Sequence, residues 1–149
     1  MFFCIRTLAL SCFLFIAANV AYAADVGSSY QQITVTPLLT NPKTIVGENI
    51  VYPGGTPANI TAAIVSIGPG QKTGLHGHGV PLFAYMLSGE LEVDYGDKGV
   101  KVYTKGMAFM EAMAQMHEGR NTKDIPAKIL AVYLGADGYA NVTKPEVSK

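Results

Sequence analysis

Beyond residue 23 the chain has no cysteine; the two it contains, Cys4 and Cys12, both lie before that point. The rest of the molecule can form no disulfide and can offer a metal no thiolate, so any ion would have to be held by histidine and oxygen donors. Charge is also sparse. Asp, Glu, Lys and Arg make up 15% of residues and sum to a formal net charge of zero, with no basic cluster. That excludes the electrostatic footprint of a nucleic-acid binder. No long amphipathic helical pattern, helical repeat or α/β alternation is present, which sets aside bundles, solenoids and nucleotide folds. Hydrophobic residues at 49% argue equally against disorder. Histidine is scarce: there are three.

The N-terminus stands apart in composition. One early charge, Arg6, precedes an apolar run from Leu8 to Ala18, then Asn19 and the small-residue sequence Ala21-Tyr22-Ala23. This pattern predicts that residues 1–23 are a secretory signal peptide cleaved near Ala23. The alternative, an uncleaved anchor, is disfavoured because the run falls short of the roughly 20 apolar residues a spanning helix needs. The expected location is secreted or periplasmic, with no membrane anchor after cleavage. No twin-arginine pair is present, so export in the unfolded state is expected, with any metal acquired after translocation.

The remaining chain reads as short strands punctuated by Gly and Pro. Residues 24–43 are expected to be a leader with a first strand over Gln31–Thr36, residues 44–137 a β-barrel, and residues 138–149 a polar tail. Within the barrel, Thr44–Tyr52 reads as one strand bent at Gly47, and Asn59–Ile67 as a buried strand because its apolar character is continuous. Strands also follow at Leu82–Leu87, Glu90–Tyr95, Val100–Thr104, Met107–Glu111 and Ile125–Leu134, with a tight turn at Gly96-Asp97-Lys98-Gly99. Eight to ten strands of this kind predict an all-β sandwich or barrel.

The histidines are unevenly placed. His76 and His78 are two apart, so on a strand both imidazoles would share a face. The third, His117, follows 39 residues after His78. A pair on one strand face plus a single distant partner points to a metal site.

The surrounding spacing resembles the cupins. In their first motif a Gly precedes His-x-His, then an acidic residue and a second Gly; Gly70, His76, His78 and Gly89 fall in register, while Leu82 stands at the acidic position. In the second motif a Gly, a Pro-x-Gly, a His and an Asn follow; Gly106, His117 and Asn121 fit, while Ala112 and Ala114 replace Pro and Gly. The two motifs are 16 residues apart. The resemblance implies a single-domain cupin, a double-stranded β-helix or jelly-roll barrel enclosing a cavity. It implies that His76, His78 and His117 hold a divalent transition metal (Fe, Mn, Ni, Cu or Zn) with positions left open for ligand. Asn121 and Gln115 would orient water or ligand beside it, and by strand parity Leu82, Ala84 and Met86 would line the cavity.

With Leu82 in place of a carboxylate, three neutral imidazoles would leave the ion its full charge in an apolar cavity. An anionic ligand would then be favoured: hydroxide, a carboxylate or a chelating enolate. Glu111 and Glu118 are expected to be exposed, and the series Met107, Met110, Met113 and Met116 to pack in the core rather than bind copper. Two functions follow. One is a small-molecule oxidoreductase of dioxygenase type; the other is a non-catalytic module that binds a metal or small anion. The resemblance also implies a homodimer formed through the outer sheet, with Phe83, Tyr85 and Tyr133 supplying apolar area.

Overall fold

In the strand Leu82–Ser88, Leu82, Ala84 and Met86 point into the protein and Phe83 and Tyr85 outward, the period of two that any half-buried strand imposes. Two sheets built this way face each other across the core. The computed structural model describes residues 36–52 and 54–146. The signal peptide expected over 1–23, most of the leader expected over 24–43 and nearly all of its strand over 31–36 lie outside them.

The elements are β1 (Ala58–Ile67), β2 (Leu82–Ser88), β3 (Glu90–Asp94), a 3-10 turn at Gly96–Lys98, β4 (Val100–Thr104), β5 (Ala108–Met110), β6 (Glu118–Arg120) and β7 (Ala127–Ala136). One sheet has the order β1-β7-β2-β5 and the other β4-β3-β6, with every named pairing antiparallel. The core fills from both inner faces: Ala84, Met86, Phe109 and Ile129 from the larger sheet, Leu91, Val93 and Tyr103 from the smaller. Tyr103 stacks on Phe109 with ring centroids 3.7 Å apart. The fold is therefore the all-β jelly-roll barrel expected from the sequence. Among the described residues no helix is long and apolar enough to cross a membrane.

Gly89 makes the tight β2–β3 hairpin possible. Its φ is +72°, and a Cβ there would stand 2.6 Å from the Pro126 carbonyl oxygen, so the turn requires glycine both sterically and conformationally.

Two expectations fail. The bent strand over Thr44–Tyr52 does not form; Lys43 and Asn49 make one isolated bridge around a turn. The reason is Glu48, whose carboxylate is used elsewhere. It accepts the backbone N–H of Met113 (2.7 Å), Ala114 (2.9 Å) and Gln115 (2.9 Å), and the Thr44 hydroxyl at 3.0 Å. Burial pushes the Glu48 carboxyl up, but these hydrogen bonds outweigh it and hold it below the ordinary range. The loop so clamped is the one in which Ala112 and Ala114 replace Pro and Gly. β1, secondly, is not buried: Ile60 and Ile64 are more than half exposed. Among the described residues it is an edge strand paired only with β7, and only its odd-numbered side chains look toward the opposite sheet.

Candidate metal centre

The three imidazoles meet. Ring centroids of His76 and His117 are 4.5 Å apart, of His76 and His78 5.1 Å, and of His78 and His117 5.2 Å. One nitrogen from each lies within 4.8 Å of the other two. The backbone brings them together directly. His76 and His117 form an isolated antiparallel bridge, each N–H donating to the other's carbonyl at 3.0 and 2.8 Å. The His78 N–H donates to the Met113 carbonyl at 2.9 Å, in the loop that Glu48 clamps. His76 is thus held by a single bridge and His78 by one backbone hydrogen bond, and neither lies on a regular strand. Residues 70–77 run irregularly beside 117–121, with glycines interrupting the ladder.

Each ring is fixed by a backbone carbonyl on its outer nitrogen. Nδ1 of His76 meets the Gly74 oxygen, that of His78 the Asn141 oxygen and that of His117 the Gln115 oxygen, all at 2.9 Å. A carbonyl can only accept, so each Nδ1 carries the proton and each Nε2 presents a lone pair. Burial lowers the pKa of all three, that of His78 to about 4 from 6.5, so at neutral pH all three are uncharged and ready to ligate.

The Nε2 atoms of His78 and His117 are buried and have no hydrogen-bond partner. Leaving such an acceptor unsatisfied costs about 1–3 kcal/mol. Two of them aimed at one point, on rings held in the ligating tautomer, fit a metal ion, and the donor set suits Zn, Cu, Fe or Ni. They open into a cavity of about 80 Å³ whose apolar wall includes Val65, Leu82, Ala84, Leu91, Ile129 and Ala131. At about 10–15 Å³ per water this holds an ion and a ligand of a few heavy atoms.

One lining residue was expected on the surface. Glu111 is 6% exposed, and its Oε2 lies 3.9 Å from His117 Nε2. Its Oε1 accepts the Tyr95 hydroxyl at 2.7 Å and the Ala112 N–H at 2.8 Å. The Tyr95 and Tyr103 hydroxyls are 2.9 Å apart, and since Tyr95 donates to Glu111, Tyr103 donates to Tyr95. Burial raises the Glu111 pKa, against the lowering effect of these two bonds. A carboxylate is thus present inside the barrel after all. Parity could have found it: Phe109 is inward on β5, and Glu111 is two residues on.

The other site residues divide. Leu82 and Ala84 line the cavity, while Met86 is buried in the core beyond it. Asn121 does not face the histidines. Its side-chain amide donates to the Ile67 and Ile125 carbonyls at 2.9 and 2.8 Å and accepts the Lys123 N–H at 2.9 Å, fastening a turn. Gln115 orients His117 through its backbone carbonyl; its side chain donates to the Tyr95 carbonyl at 2.9 Å. Glu118, on the opposite strand face from His117, pairs with Lys72 at 2.7 Å. Tyr133 was placed on the outer face, but it pairs in register with inward Leu82 and so points into the cavity, its ring 5.7 Å from that of His78. The four methionines do not pack in the core as expected: Met107 is 42% exposed with its sulfur accepting the Thr104 N–H, and Met110, Met113 and Met116 are half-buried.

No curated protein matches the chain. Among solved structures, it is similar to the formate complex of an oxalate decarboxylase from Lactobacillus farciminis (25% identity, TM-score 0.49, 56% of this chain and 26% of that one). It is also similar to a Bacillus subtilis oxalate decarboxylase studied for its Mn(II) centres (28%, 0.46, 56% and 23%). A third is an oxalate oxidase (20%, 0.49, 56% and 45%). The chain spans about a quarter to under half of the length of these proteins, and likeness at this level carries nothing about substrate. Residues 63–133 match the family described as Cupin domain. That stretch holds all three histidines and runs from β1 to β7 of the double-sheet barrel; this part of the chain belongs to the cupin superfamily.

Proposed function

We propose that the chain is an exported cupin that holds one divalent transition metal on His76, His78 and His117 and uses it to oxidise a small chelating anion, in the manner of a dioxygenase. The observation that carries this reading is the convergence of one ring nitrogen from each of three histidines within 4.8 Å of the others, with the Nε2 atoms of His78 and His117 buried and unpartnered. When bound, the metal supplies Lewis acidity and a redox centre with ligand positions left free. The protein does the rest. The Gly74, Asn141 and Gln115 carbonyls hold the rings in the ligating tautomer. The apolar wall formed by Leu82, Ala84 and Ile129 excludes water, which strengthens every charge interaction inside. The size of the cavity restricts the substrate to a few heavy atoms. The composition of residues 1–23, with a small-residue cleavage sequence at Ala21-Tyr22-Ala23, supports cleavage near Ala23 and a secreted or periplasmic location, with the metal loaded after translocation.

A second reading, a binding module without turnover, is favoured by the same cavity: about 80 Å³ is filled by an ion and one small anion, leaving little space for dioxygen. Elemental analysis of metal-reconstituted mature protein, followed by dioxygen uptake with small carboxylates, diketones, thiols and catechols, separates the two. Stoichiometric metal with uptake supports the enzyme, and metal with ligand stabilisation but no uptake supports the binder. Failure of the wild type to retain any of Fe, Mn, Ni, Cu or Zn refutes both. N-terminal sequencing of the exported protein should begin at Ala24; an intact Met1 refutes cleavage.

A further inference from the structure

Position 82 holds leucine where the cupin motif has its acidic residue, and Glu111 lies directly across the strand ladder from it. The β2–β5 register pairs Ala84 with Phe109 and Phe83 with Met110. The next pair is Leu82 with Glu111, joined by the Glu111 N–H donating to the Leu82 carbonyl at 2.9 Å. Residues directly opposite on antiparallel strands share a face, with Cβ atoms about 4.5–5.5 Å apart. A glutamate at either position therefore reaches the same space.

We propose that Glu111 is the acidic ligand of this centre, moved across one ladder from β2 to the end of β5; this rests on the three histidines being a metal site. Three observations support it. The side chain is 6% exposed and lines the cavity the imidazoles face. Its two oxygens have different tasks: Oε1 is pinned by the Tyr95 hydroxyl and the Ala112 N–H, while Oε2 turns to His117. Pinning one oxygen so that the other is presented is how outer hydrogen bonds fix a ligating carboxylate. The distance also fits. An ion bonded at about 2.1 Å to a nitrogen and an oxygen can join atoms up to about 4.2 Å apart, and Oε2 is 3.9 Å from His117 Nε2. The carboxylate lowers the charge of a divalent ion by one inside an apolar cavity, which three neutral imidazoles alone do not do.

The test is calorimetric titration of metal-free protein with Mn(II), with circular dichroism to check each fold. Glu111→Gln keeps an oxygen that can accept from Tyr95 and Ala112. It should bind Mn(II) about tenfold to a hundredfold more weakly than the wild type. Glu111→Leu should weaken binding at least as much, and Leu82→Glu/Glu111→Leu should recover most of the loss, because it returns the carboxylate to the opposite position. Binding by Glu111→Gln within about twofold of the wild type, while His78→Ala abolishes it, overturns the inference and leaves the three-histidine reading standing. Unchanged binding in His78→Ala and His117→Ala overturns that reading and the inference with it. A readout without variants is the infrared difference spectrum of wild-type protein on Mn(II) addition, with and without 13C-carboxyl-labelled glutamate. A buried glutamate band that shifts on loading supports ligation, and labelled bands unmoved by the metal overturn it.

Discussion

Glu48→Ala is the sharpest perturbation of the centre that touches none of its donors. The Glu48 carboxylate accepts three consecutive backbone N–H groups, those of Met113, Ala114 and Gln115, at 2.7–2.9 Å. The Met113 carbonyl in turn anchors the His78 backbone, and the Gln115 carbonyl sets the tautomer of His117. A hydrogen bond to an ionised group contributes about 1.5–3 kcal/mol when sheltered. Glu48 is half-buried, so solvent screening cuts each bond below that range, to about 1.2 kcal/mol, and the three together amount to about 3–4 kcal/mol. For a unit of this size that lowers Tm by about 10–15 °C. Metal affinity should fall as well, since two of the three imidazoles lose their fixed positions. The Glu48 carboxyl is held below its ordinary value of 4.5. Below that value the unfolded chain takes up a proton that the folded chain still refuses, so the stabilisation is complete above it and fades as pH drops through the folded value. The gap in stability between wild type and Glu48→Ala should be constant from pH 7 to about 5 and close below that. Thermal unfolding across pH, paired with metal titration, reads both effects. A variant that melts within about 2 °C of the wild type at pH 7 and binds metal equally well would refute the clamp.

The pKa of His78 is depressed to about 4 from 6.5, so between those values the unfolded state binds the extra proton and metal-free protein loses about 3 kcal/mol as pH falls across the window. Buried Glu111 works in the opposite direction, so the measurement is the difference in urea-unfolding pH dependence between wild type and His78→Phe; identical slopes count against the assignment. Gly89→Ala places a Cβ against the Pro126 carbonyl at φ +72° and should cost about 3 kcal/mol in chemical denaturation. Gly106→Ala, at φ +91° with open space around it, should cost about 1 kcal/mol; equal costs would mean that the contact with Pro126 adds nothing.

The chain by itself determined the strands and the triad. Alternation in Leu82–Ser88 and Glu90–Asp94, together with turns such as Gly96–Lys98, is local chemistry: side chains two apart share a face, and glycine supplies the positive φ of the corners. The His-x-His pair and its distant partner were legible because coordination needs particular atoms, and few residues carry them. Tertiary register decided the rest. Glu111 looks like an ordinary surface acid until β5 is laid against β2, when it falls opposite Leu82 and inside the barrel. Tyr133 turns inward for the same reason, paired with Leu82 from the other side. The apolar run of β1 reads as core, but its place at the sheet edge leaves Ile60 and Ile64 in water. Asn121 holds its family spacing yet spends its amide on the Ile67 and Ile125 carbonyls, fastening a turn instead of facing the histidines. Which face a residue shows is written in the sequence only relative to its own strand. Which side of the molecule that face becomes is set by the neighbour it pairs with, and that pairing spans tens of residues.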